Sequence, residues 1–185
     1  MPLDDETSPQ EWWELAEPIM LTVVSGIAAA DVAARLGVDP RESVPVRFDN
    51  VWDEHDYDAV HLAAQVDELD GHTVIIEPNG WLMTANTRTE RVSIGGSLVS
   101  VYWNVNALMR VIVAVNGRIV RSFDPLLYEQ PAMGEPLPEE TDLPFGEPGS
   151  CQSAAAELQQ RLTRLKITTR WLLDQPHPTW WGIPT

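Results

Sequence analysis

Three scarcities bound this chain before any pattern is read. It holds one cysteine, Cys151, in 185 residues. A single thiol makes no internal disulfide, so the chain is expected to depend on its core and to sit in a reducing cytoplasm. It holds one lysine, Lys166, and 12 basic residues against 28 acidic ones, for a formal net charge of −16. So acidic a surface repels phosphate backbones and anionic lipid, and neither nucleic acid nor a membrane is expected as a partner. No run of 18 apolar residues occurs, so no membrane-spanning helix is expected. The opening stretch MPLDDETSPQEWWE has neither the basic start nor the apolar run of a secretory signal, and none is expected.

Signatures of catalysis are missing too. The chain has no GxSxG, P-loop, GxGxxG, HExxH or paired-cysteine spacing. Cys151 opens a predicted helix, where a thiolate would gain from the dipole, but no motif pairs it with a histidine. The acidic cluster Asp53, Glu54, His55, Asp56, Tyr57, Asp58 lacks the glycine and glutamate positions of a calcium loop. No catalytic residue, cofactor or metal is therefore assigned, and a non-enzymatic protein is the expectation.

What is present suits one domain over residues 1–185, with 44 % hydrophobic and 22 % charged residues. A chain this long buries about 70 % of its unfolded surface. Charge is blocky. Phe48 to Thr87 has nine acidic residues and no Lys or Arg, and Ser122 to Glu157 has eight and again none. Between them, Arg88 to Arg121 carries five Arg against Glu90 alone. These blocks either pair internally or present acid to a basic partner.

Pattern predicts an α+β fold: a mainly antiparallel twisted sheet of about five or six strands, packed by three or four helices on one side. Trp12, Trp13 and Leu15 predict a short helix over Pro9–Met20, ended by Pro18. LTVV (21–24) reads as a strand and IAAADVAARLG (27–37) as a helix stopped by Gly37. Asp31 and Arg35 sit at the ends that match its dipole. Strands are predicted over Val60–Leu69 and His72–Asn79, joined at Asp70-Gly71, a pair that tolerates the positive φ of a tight hairpin. A short helix is expected within Thr84–Val92. Period-2 alternation makes Ser97 to Phe123 the expected centre of the sheet, with a second hairpin at Asn116-Gly117. Pro125 to Ser150 has six prolines among acids and is expected as an extended loop. Leu158, Leu162 and Leu165 mark a helix over Cys151–Leu165, and TRWLLD a last short one. Pro40–Asp58 and the tail QPHPTWWGIPT read as irregular.

The motifs Leu36-Gly37, Glu77 to Trp81 (EPNGW), Val99 to Ala107 (VSVYWNVNA), Asn116-Gly117 and Phe123 to Pro125 (FDP) follow one another along the chain. In that order they resemble an uncharacterised actinobacterial family, a domain of unknown function. The resemblance implies a compact α+β domain and carries no activity. The bias of eleven arginines to one lysine is the codon signature of a GC-rich genome.

Two sets of residues are candidates for binding. Asn104 and Asn106, with Glu77, Trp81 and Trp103, would make a ligand pocket in which side-chain amides donate and accept together. A strand running unbroken from Leu98 to Val115 would be too long, however, so Asn106 is expected to mark a turn. The second set is Asp53, Glu54, Asp56 and Asp58 with Trp180 and Trp181, an acidic and aromatic surface for a basic protein. Trp81, Trp103 and Trp171 are expected in the core. The favoured function is an acidic, non-enzymatic protein-binding domain, immunity- or antitoxin-like, or a phage or mobile-element accessory protein. The alternative is a small-ligand binder or enzyme with its pocket near Asn104 and Asn106.

Overall fold

The alternating segments of the sequence do form strands, and the positions at which they pair decide the architecture. The structure, a computed structural model, describes residues 11–15, 18–53 and 62–184. Eight strands are present: β1 (Ile19–Ser25), β2 (Val44–Arg47), β3 (Ala64–Leu69), β4 (His72–Pro78), β5 (Ser97–Trp103), β6 (Met109–Val115), β7 (Arg118–Phe123) and β8 (Pro176–Trp180). They make one sheet in the order β2-β8-β3-β4-β1-β5-β6-β7, with every neighbouring pair antiparallel. The α+β class with an antiparallel sheet is therefore present, but with eight strands rather than five or six.

The two extra strands are β2 and β8, each with a proline inside it, in segments read as irregular. Proline has no N–H for a ladder and reads as a strand breaker. Here Pro45 stands directly across from Pro178, so two residues without a donor share one rung. The pairing of β8 with β3 covers only Ala64 with Trp180 and Gln65 with Thr179, and stops before Pro178 is reached.

β1 corrects a second expectation. It begins at Ile19 and enters between β4 and β5, so the middle of the sheet is β4-β1-β5. The 97–123 meander forms one flank, and β7 is an edge. Both expected hairpins occur, with positive φ at Asp70 (47°) and Gly71 (79°), and at Asn116 (47°) and Gly117 (78°).

Helices cover both faces, not one. Ile19, Leu21, Val23, Val99, Val101 and Trp103 point to the face packed by α1 (Trp12–Leu15), the later helix of residues Cys151–Thr163 and the π-helical turn Arg170–Asp174. Met20, Val24, Ile75, Leu98 and Ile112 point to the other face, under α2 (Ala29–Leu36) and α3 (Asn86–Ser93). The helix Cys151–Thr163 is α4. Because both faces are covered, strands β1 and β4 to β6 are buried at most positions, including polar ones such as Thr22, Thr73, Glu77 and Ser100. Gly37 ends α2 with φ 91°. Arg35 does more than complement the dipole: it donates to the carbonyls of Val92 (2.8 Å) and Ile94 (2.7 Å), tying α2 to the end of α3.

Residues 125–150 are not extended but a succession of turns around one short 3₁₀ turn, Pro138–Glu140, with Met133 bridged to Ser122 and the Gly146 N–H donating to the Pro125 carbonyl at 2.8 Å. The segment's anchor is Glu140, buried against Arg121 of β7. One arginine block thus meets one acidic block inside the protein.

Candidate functional site

At one end of the central strands, the chain leaving β5 makes a tight turn before β6. The Asn104 amide organises it. Its Oδ1 accepts the backbone N–H of Asn106 (3.0 Å) and of Leu108 (3.1 Å), and its Nδ2 donates to the Tyr102 hydroxyl (2.9 Å). The Ala107 N–H donates back to the Asn104 carbonyl at 3.1 Å. The left-handed residue is Ala107, with φ 59°, rather than Asn106. Asn104 is therefore a turn residue, and Asn106 sits exposed on the turn.

At the same end of the sheet, across β1, the end of β4 carries the EPNGW motif. Glu77 is fully buried, and its carboxylate oxygens accept the N–H groups of Leu82 and Met83 at the start of a 3₁₀ turn, Leu82–Thr84. Gly80 is required beside it: a Cβ there would lie 2.7 Å from the Glu77 Cβ and 2.9 Å from Oε2. Asn79 takes φ 55° and donates its N–H to the Pro18 carbonyl. The motif is thus a turn folded around its own glutamate. Burial pushes the Glu77 pKa up to about 8, against the pull of the Leu82 and Met83 N–H groups and of nearby Arg88.

Between these two turns lies an open groove of about 460 Å³, lined by Trp52, Trp81, Tyr102, Asn104, Val105 and Asn106 among others. Trp81 is 49 % exposed and not a core anchor as expected. Val105 is 72 % and Leu108 58 % exposed on the turn, a large apolar presentation for so short a segment.

The five pocket candidates do not converge. Trp81, Asn104 and Asn106 line the groove. Glu77 is sealed beneath its own turn. Trp103 points to the opposite face of the sheet, where it stacks on Trp12 with ring centroids 5.5 Å apart.

The acidic and aromatic set divides as well. Asp53 is exposed, whereas Glu54, Asp56 and Asp58 lie outside the described residues. Trp180 is buried on the α2–α3 face, and its Nε1 donates to the Asp39 carbonyl, so it belongs to no surface patch. Trp181 is half-buried with Trp52 over Val46, Val51 and Ala63. Trp52 and Tyr102 line the groove and are not among the candidates that the sequence predicts. Their signal was weak, since one lay in a segment read as irregular and the other in the polar half of a strand.

Among the described residues, no group of three or more His, Cys, Asp and Glu is placed to hold a metal ion, and no helix is long and apolar enough to cross a membrane. Cys151 is buried, with its Sγ against the carbonyls of Pro125 and Glu147, and burial raises its pKa above the ordinary thiol value.

Fold and site together define an α+β sheet protein with helices on both faces and an aromatic–amide groove at its strand ends. The chain belongs to a family of unknown function (DUF6461), which it matches over residues 6–136. That stretch spans α1 through β7 and the start of the acidic segment, so α4 and β8 lie beyond it. No curated protein matches the chain. No solved structure matches it either.

Proposed function

We propose that this protein is a non-enzymatic binding domain that holds a basic protein partner in the groove between the 79–82 and 104–108 turns. The observation that carries the reading is the groove itself. It offers aromatic rings and amides at an open surface, with Val105 and Leu108 projecting from its turn, in a chain of net charge −16. Aromatic and aliphatic anchors supply binding energy, and the surrounding acid steers a cationic partner and rejects anionic ones. Asp53, exposed next to Trp52 in the chain, supports that assignment. The finer form is an immunity- or antitoxin-like protein, or an accessory protein of a phage or mobile element, in an actinobacterial cytoplasm. The arginine bias and the lone thiol support that setting.

The test is affinity capture from host lysate at low and high salt. The wild type is compared with a Val105→Ser, Leu108→Ser variant, whose changes lie on exposed side chains. A basic protein held by the wild type at low salt, released by salt and not held by the variant, is the expected result. A partner held equally by both proteins, or no partner at all, overturns the reading. A small molecule that raises the melting temperature of the wild type but not of Asn106→Ala would favour the alternative, a ligand pocket in the same groove.

A further inference from the structure

A second cleft, of about 440 Å³, opens on the other side of Trp81, within the size range of small-molecule sites. Its apolar walls include Leu36 at the end of α2, Leu82 and the tail residue Pro184. Its polar lining comes from Thr84 of the 3₁₀ turn and from Thr87, Arg88 and Arg91 of α3. No acidic side chain is among the described residues that line it, although acids outnumber bases 28 to 12 in the chain.

The two arginines are three residues apart on one helix, where like charges repel. Arg88 is 7 % exposed. Its Nη1 donates to the Leu82 carbonyl at 3.4 Å and its Nη2 to the Pro184 carbonyl, while its Nε meets no acceptor. A buried cation with only neutral partners is costly. Burial lowers the Arg88 pKa; Arg91 adds to the lowering and Glu77 opposes it. Glu77, the acid that opposes the lowering, already accepts the Leu82 and Met83 N–H groups with its two oxygens and makes no ion pair with Arg88. Neither arginine forms an ion pair among the described residues. An anion in the cleft would relieve both the repulsion and the missing countercharge.

We infer that this cleft binds a small aromatic monocarboxylate, with its carboxylate on Arg91 and over Arg88 and its ring against Trp81, Leu36 and Pro184. A guanidinium fork matches the two oxygens of a carboxylate. The walls are apolar on the side away from α3, which suits a singly charged head on an apolar body.

The experiment is a titration of the full chain, followed in ¹H–¹⁵N spectra, with 3-phenylpropionate as the probe. Its uncharged amide, 3-phenylpropionamide, and inorganic phosphate are the controls. Saturable shifts at the amides of residues 87–91 and at the Trp81 indole, seen with the carboxylate and not with the amide, are expected. Arg91→Gln is expected to raise Kd by about tenfold or more, as loss of a charged hydrogen bond does. Its melting temperature is expected to stay near the wild-type value, since Arg91 is exposed. The inference is overturned by equal binding of the amide, by unchanged affinity in Arg91→Gln, by phosphate binding as tightly as the carboxylate, or by no saturable shift at millimolar carboxylate. Trp81 lines both the cleft and the groove, so the shifts at residues 87–91 and the effect of Arg91→Gln, which belong to this cleft alone, keep its failure distinct from failure of the groove.

Discussion

Arg121 and Glu140 face each other in a two-pronged ion pair, Nε to Oε1 at 2.8 Å and Nη2 to Oε2 at 2.9 Å, with both side chains almost wholly out of water. The Tyr128 hydroxyl and the Leu137 N–H also donate to the carboxylate, and the guanidinium lies 4.5 Å from the centroid of the Phe123 ring. This pair fastens the acidic segment 125–150 to strand β7. Removing one member leaves the other charge buried alone, so Arg121→Met is expected to cost about 3–5 kcal/mol. Denaturant unfolding measures the loss, and limited proteolysis should show new cuts within 125–150.

Acid should act on the same pair. Burial works to raise the Glu140 pKa, but the bonds from Arg121, Leu137 and Tyr128 prevail and hold it below the ordinary value of 4.5. A lowered folded pKa contributes stability that is present above the unfolded pKa and is lost as pH falls through the folded one. Melting temperatures measured downward from pH 5 should fall more steeply in the wild type than in Glu140→Gln, which is less stable throughout.

Glu77 has the opposite sign. Its folded pKa, about 8, lies above the ordinary 4.5, so the unfolded chain ionises first as pH rises. Its contribution is whole below about pH 4.5 and shrinks by about 1.4 kcal/mol with each pH step of one as pH climbs towards 8. In Glu77→Gln that slope should flatten between pH 5 and 8. The variant keeps one acceptor and loses the other, and should be less stable at pH 5 by about 1–3 kcal/mol. Gly80→Ala, which forces a Cβ against Glu77, should cost a similar amount, about 1–3 kcal/mol.

The two asparagines should separate cleanly. Asn104→Ala removes the acceptor of two backbone N–H groups and the partner of Tyr102, and should destabilise by about 1–3 kcal/mol. Asn106 contributes its backbone N–H to that turn and holds its side chain at the surface, so Asn106→Ala should stay within about 0.5 kcal/mol of wild type. Thermal melts of the two variants decide it.

His177 is fully buried on β8, with Nδ1 2.8 Å from the Asp67 carboxylate and Nε2 3.0 Å from the Trp171 carbonyl. It joins strands β3 and β8 to the π-helical turn, near the rungs where Pro178 and Pro176 donate nothing. His177→Leu strands those acceptors and should cost about 1–3 kcal/mol. Amide exchange should then accelerate first at Thr179 and Trp180, beyond the substituted rung.

Local chemistry accounts for what the amino-acid sequence determined by itself. Asp70-Gly71 and Asn116-Gly117 took positive φ because few other residues do so cheaply, and the hairpins followed. Apolar alternation marked β5, β6 and β7, and small helix-favouring residues with a closing glycine marked α2. A strand from Leu98 to Val115 did have to break because of its length, although the break begins at Asn104 and its left-handed residue is Ala107.

Tertiary structure alone decided the remainder, because it rests on pairings distant in the chain. Nothing within QPHPTWW makes a strand; Pro178 is accommodated because Pro45, 133 positions earlier, stands opposite it. Helices on both faces follow from where β1 enters the sheet, which no local pattern records. The fate of each candidate residue was settled in the same way. Trp103 and Trp81 are both apolar, yet one closes the core beside Trp12 and the other stands between two clefts. Residue type sets the free energy of leaving water, and only the assembled sheet sets which side chains leave it.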